Sequence, residues 1–91
     1  MNPRDRTLKD KAKALKAVMV IGKNGITQGS ITLLDRELEQ KGLVKVKLLA
    51  NYLRASGRDR KEVAQELAAL GCARLISLVG NVVVLYREKK G

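Results

Sequence analysis

Two residue periods alternate along this chain, and that alternation restricts its fold more than any other feature. Leu8, Ala12 and Leu15 recur at i, i+4 and i+7, the spacing of one helical face. Residues 17–21, AVMVI, follow as a short run rich in branched side chains, which reads as a buried strand. Ile31, Leu34 and Leu38 return to helical spacing. LVKVKLL, residues 43–49, then alternates, with Val44, Val46 and Leu48 on one side and Lys45 and Lys47 on the other. Val63, Leu67 and Leu70 form a third helical stripe. ARLISLV and VVVLYR close the chain as two strands joined by Gly80 and Asn81. Helical stripes need a sheet face to cover. The order therefore predicts an α/β fold: a single-domain α-β-α-β-α-β-β layer with a mixed sheet, in which parallel pairings are completed by one antiparallel hairpin.

Local signals set the boundaries. Asn2 and Pro3 suit a cap and first helical residue, and Thr27 suits the N-cap of a second helix reaching Lys41. Gly42 is expected to close that helix in the left-handed conformation. ANYLRASGR reads as a polar connection turning at Ser56 and Gly57, and Asp59 with Glu62 has capping-box spacing for the third helix, which Gly71 ends. Gly80 at the first loop position suits a type II′ hairpin turn. The tail REKKG is expected to fray. With two Tyr and neither Phe nor Trp among 91 residues, the core must be built from Val, Ile, Leu and Ala. Tyr52 is assigned to packing and Tyr86 to the sheet.

Charge narrows the function. The chain carries a net charge of +10, from 19 basic and 9 acidic side chains. Residues 1–23 hold seven basic side chains (Arg4, Arg6, Lys9, Lys11, Lys13, Lys16, Lys23) and two acidic ones, so half the excess sits in a quarter of the chain. Arg6, Lys9, Lys13 and Lys16 form a stripe beside the apolar face of the first helix. Such clustering favours a polyanionic partner, nucleic acid before an acidic membrane. There is no His and one Cys. A Cys–His nucleophile pair and an internal disulfide are thereby excluded, and no transition-metal site, catalytic role or cofactor is expected. Cys72 is expected to be a small buried hydrophobe at the start of a strand. No apolar run approaches the roughly 20 residues of a membrane span, and the N-terminus lacks a signal-peptide pattern. A cytoplasmic protein, monomeric when unbound, is expected.

The motif with most to say is VIGKNGIT, residues 20–27. Gly22-Lys23-Asn24-Gly25 can be a mute strand-to-helix turn, because glycines tolerate positive φ. A nucleotide phosphate loop fails in detail: neither G-x-x-x-x-G-K-[ST] nor G-x-G-x-x-G is present. The third reading is a clamp on a nucleic-acid backbone. Glycines without side chains allow close approach, while backbone N–H groups, Lys23 and the following helix N-terminus supply positive potential. Asn24 and Thr27 could donate hydrogen bonds to phosphate or 2′-OH groups.

VMVIGKNGIT after a basic helix, LVKVKLL after the next helix, and the terminal VVVLYR together resemble the CRM family, the chloroplast RNA splicing and ribosome maturation domain, over almost the whole chain. The likeness is closest to its stand-alone prokaryotic YhbY-type RNA-binding members. The resemblance implies a mixed four-stranded sheet packed against helices, similar to the C-terminal domain of translation initiation factor three. It also implies binding of structured RNA through Gly22, Lys23, Asn24 and Gly25. For bacterial members the implied target is the precursor of the large ribosomal subunit, and for plant members group II introns. A KH domain also carries an I-G-x-x-G loop, but between two helices, whereas here a strand leads into it. The RNA-binding set expected is therefore that loop with Thr27, Arg6, Lys9, Lys13, Lys16, Lys45 and Lys47, extended by Arg54, Arg58 and Arg60. The alternative is a protein-interaction module whose basic surface docks an acidic partner.

Overall fold

A computed structural model describes residues 3–88. Eight elements succeed one another: α1 (Pro3–Lys13), β1 (Met19–Ile21), α2 (Gln28–Lys41), β2 (Leu43–Leu48), α3 (Ala50–Ser56), α4 (Arg60–Leu70), β3 (Arg74–Val79) and β4 (Val82–Tyr86). The expected mixed four-stranded sheet is present, in the order β1-β2-β4-β3. β1 and β2 are parallel, with Val20 opposite Lys47, and α2 is their crossover. β4 pairs antiparallel with both β2 and β3. The cap suggested for Asn2 lies outside the described residues, as do positions 89–91 of the tail.

The two faces of the sheet are unequally covered. Leu34 and Leu38 of α2, Tyr52 of α3, and Val63, Ala64, Leu67 and Ala68 of α4 pack on Ile21, Val44, Val46, Leu48, Val83 and Leu85. This is the main core, and its alternating β2 pattern is the one read from LVKVKLL. On the opposite face α1 lies alone: Leu8 and Ala12 bury against Leu43, Ile76 and Val84. The ladder shifts register between Leu75 and Ser77. This bulge inserts one extra residue, and Ile76 joins the α1 cluster.

Several local expectations need correction. α1 stops at Lys13, and Ala14 and Leu15 continue only as a tightened turn donating to Lys11 and Ala12. Leu15 is therefore not on the core face but 37% exposed. The AVMVI strand shrinks to three residues, and Val20 is 53% exposed because β1 is an edge whose α1-side face is uncovered. ANYLRASGR is not a connection: it contains the helix α3, capped by Gly57 in the left-handed conformation. The cap of α4 is Asp59 accepting from the N–H of Lys61, and the α4 stripe uses Ala64 and Ala68 where Leu70, 40% exposed, was expected. Cys72 is exposed, with φ of 48°, in the turn that leaves α4. A turn residue between a helix end and a strand faces solvent, which defeats the buried-strand expectation. Gly42 closes α2 at φ of 76° but ψ of −42°, outside the left-handed conformation expected for it, and gives its N–H to the Leu38 carbonyl. Gly80 has φ of 59° and Asn81 stays at negative φ, as a type II′ turn requires.

Arg87 is anchored rather than frayed. Its N–H donates to the Gly42 carbonyl, and its guanidinium donates to the Gly71 carbonyl and to Asp35 Oδ1 at 2.9 Å, with Glu39 3.6 Å away. One side chain thus ties the end of β4 to α2 and to the end of α4. Arg87→Gln is expected to lower stability by about 1–3 kcal/mol, the range for a charged hydrogen-bonding group removed from a half-buried site. Urea unfolding checks it; an unchanged midpoint would mean that the latch contributes nothing.

Candidate nucleic-acid interface

The glycine loop stands at the C-terminal end of β1. The Gly25 N–H donates to the Gly22 carbonyl at 2.8 Å, which closes a turn and lifts Lys23 and Asn24 into solvent. Gly25 has φ of 65°, a conformation that L side chains rarely adopt. A Cβ there would also sit 3.0 Å from the Tyr52 ring, and one on Gly22 would sit 3.1 Å from Leu49. Both glycines therefore rest on the start of α3. Tyr52 is buried beneath the loop, so its ring supports the backbone and does not present a face for base stacking.

Immediately after the loop, Thr27 caps α2. Its hydroxyl oxygen accepts the Ser30 N–H at 3.1 Å and lies 3.1 Å from the Ser30 hydroxyl. The first turn of a helix carries N–H groups without intrahelical partners and a partial positive charge. Lys23, Asn24, Thr27 and Ser30 with the two glycines border a shallow hollow of about 250 Å³, and no acidic residue lines it.

The basic residues of α1 and β2 lie on the face of the sheet that α1 partly covers, the face that Val20 of β1 shares. Lys9 and Lys13 of α1 and Lys45 of β2 line one groove between α1 and the sheet. Lys45 Nζ donates to the Leu15 carbonyl at 3.1 Å, fixing the segment that leaves α1. Lys47 points to the same face, exposed, between Val20 and Val82 in register. Arg6 is exposed one turn earlier on α1, and Lys16 lies beyond the helix end, so neither borders loop or groove. Of the outlying arginines, half-buried Arg58 is engaged by other side chains. It pairs with Glu66 at 2.5 Å and donates to the Tyr52 hydroxyl at 3.4 Å, and its pKa is raised by the Glu66 and Tyr52 hydrogen bonds. Arg54 donates to Asn51 at 3.0 Å, and Arg60 is exposed.

Sequence reasoning missed the support under the loop. Leu49, Tyr52 and Leu53 stand at i, i+3 and i+4, a helical signal, but seven residues are too few for periodicity to stand out. Among the described residues no group of three or more His, Cys, Asp or Glu could hold a metal, and no helix is long and apolar enough to cross a membrane.

The CRS1 / YhbY (CRM) domain model matches residues 2–87. The chain belongs to this family. Within it, the Bacillus subtilis protein named "Probable RNA-binding protein YqeI" is 33% identical over 85 residues, 93% of this chain and 84% of that one. A Methanocaldococcus jannaschii protein named "Probable RNA-binding protein MJ0652" is 37% identical over 86 residues; the match spans 94% of this chain but 62% of that relative's length. The solution structure of the Staphylococcus aureus protein SAV1595 superposes with a TM-score of 0.78 at 33% identity, covering 96% of this chain and 86% of that one. The CRM fold expected from the sequence is therefore the fold found, with α3 as an added helix in the order read from the periods.

Proposed function

We propose that this CRM domain is a non-enzymatic RNA-binding module that grips structured RNA by its backbone. The observation that carries the reading is the loop: a closed turn that projects Lys23 and Asn24 beside a capped helix N-terminus, around a hollow that no acidic residue lines. Lys23 would neutralise phosphate, and Asn24 would donate to phosphate or 2′-OH oxygens. Lys9, Lys13, Lys45 and Lys47 extend positive charge across the adjoining sheet face, with Arg6 and Lys16 as longer-range contributors. RNA-binding names among the relatives support the partner class. The family resemblance supports a narrower target, ribosomal RNA or precursors of the large ribosomal subunit, and the lone cysteine suits a reducing compartment such as the cytoplasm.

If about five phosphates are contacted, log affinity falls with log salt at a slope of about −3 to −5, from counterion release. A filter-binding titration between low and physiological salt measures it, and a flat dependence would remove the electrostatic grip. Crosslinking in cells followed by sequencing of the attached RNA tests the ribosomal reading. Reads concentrated in ribosomal precursors are expected. Weak RNA binding with an acidic protein retained after nuclease treatment would favour protein docking instead.

A further inference from the structure

The groove between α1 and the sheet differs in kind from the glycine loop. Its volume is about 300 Å³, at the low end for small-ligand clefts and suited to a single heterocycle. Val79, Val82 and Val84 give it an aliphatic lining, and Lys9, Lys13 and Lys45 line it as well, with Lys45 Nζ also donating to the Leu15 carbonyl. No acidic residue lines it; Asp10 pairs with Lys13 at 3.6 Å.

Val79, the last residue of β3 before the hairpin turn, is 73% exposed. The groove is also continuous with the loop through one row of the sheet. Val20 lines the loop hollow and pairs with Lys47, and Lys47 pairs with Val82, which lines the groove. Adjacent strands lie about 4.8 Å apart, so the two depressions are separated by roughly 10 Å along a row with a lysine at its middle.

We propose that the groove between α1 and the β3–β4 hairpin takes one unpaired base of the bound RNA, its face against Val79 and Val82 and its flanking phosphates on Lys9, Lys13, Lys45 and Lys47. A lining of valines and lysines matches a nucleotide: the heterocycle is the apolar part, and the phosphates on either side carry the charge. A paired base keeps its faces in the helical stack and cannot enter. The preference is thus for a bulge, loop or end over continuous duplex. This rests on the RNA-binding reading above and extends it from backbone grip to the kind of RNA chosen.

The test uses three RNAs: a fully paired hairpin, the same hairpin with one bulged adenosine, and the same bulge with an abasic nucleotide. The bulged RNA is expected to bind about fivefold tighter than the paired one, a modest gain because aliphatic groups replace the aromatic platforms of stronger base sites. The abasic bulge, which keeps every phosphate, loses that gain. Val79→Thr/Val82→Thr, which retains branched strand residues, also loses it while binding the paired hairpin as before. A 2-aminopurine at the bulge becomes protected from acrylamide on binding the unaltered protein, a readout that needs no variant.

Equal binding of adenosine and abasic bulges overturns the proposal and leaves backbone binding standing, as does an unprotected 2-aminopurine. Failure of all three RNAs to bind overturns both readings. A dimer in sedimentation velocity that the double variant dissolves would assign the groove to a second copy of the chain and also overturn it.

Discussion

Gly25→Asp lowers RNA affinity by at least about tenfold, and it also costs stability. The Cβ at position 25 is aimed at Tyr52 beneath the loop, so the loss follows from adding a negative charge to the loop that the proposed contact brings against phosphate; like charges juxtaposed in an interface cost several kcal/mol, and each 1.4 kcal/mol is about tenfold. The sequence alone suggests that such a variant folds almost normally. The structure revises that, because Gly25 sits at φ of 65° with the Tyr52 ring 3.0 Å from any Cβ. A left-handed non-glycine residue costs about 1–2 kcal/mol, somewhat less for Asp or Asn. Gly25→Asn is therefore the control. It meets the same strain and the same ring without the charge, so its melting temperature should match that of the Asp variant. Its affinity should fall much less. Equal affinity losses in the two variants would show that loop displacement acts, and unaltered binding by folded Gly25→Asp would remove the loop from the interface.

Leu34→Ala is expected to destabilise the protein by about 3 kcal/mol, within the range for truncating a fully buried leucine. Leu34 is 0% exposed and packs beside Gly71, where a Cβ would come within 3.2 Å of its methyl group, so little neighbouring structure can collapse into the space. For a domain of this size the melting temperature should drop by more than about 10 °C. Leu15→Ala and Leu70→Ala should cost under about 1 kcal/mol each, because those side chains are 37% and 40% exposed. All three leucines stand on predicted apolar stripes. Chemical denaturation of the three variants separates spacing from burial, and similar losses for all would contradict the packing.

Most of the site was legible in the chain for a local reason. Two glycines around Lys23 and Asn24, followed by Thr27, specify a turn and a cap through backbone conformation and one side-chain hydrogen bond. Both survive intact in the fold. What escaped was the role of neighbours far along the chain. Tyr52 lies 27 positions after Gly25, and nothing near either residue indicates that the ring lies under the loop. Lys45 and Lys47 read correctly as the face opposite Val44 and Val46. That α1 covers part of this face, and leaves a groove beside it, depends on Leu8 and Ala12 docking against Leu43, Ile76 and Val84. Arg87 reads as tail in the sequence because its partners, Gly71 and Asp35, are supplied by two separate helix regions.

Periods, caps, glycine turns and basic charge can be read along the chain, because each depends on residues within a few positions of one another. From these came the sheet's mixed character and the glycine loop at a strand end. Only the tertiary structure decided which strand lies at the edge, which face α1 covers, and what holds the loop from below. Those outcomes depend on strand order and on contacts between distant segments, where burial is shared among elements that no local spacing connects.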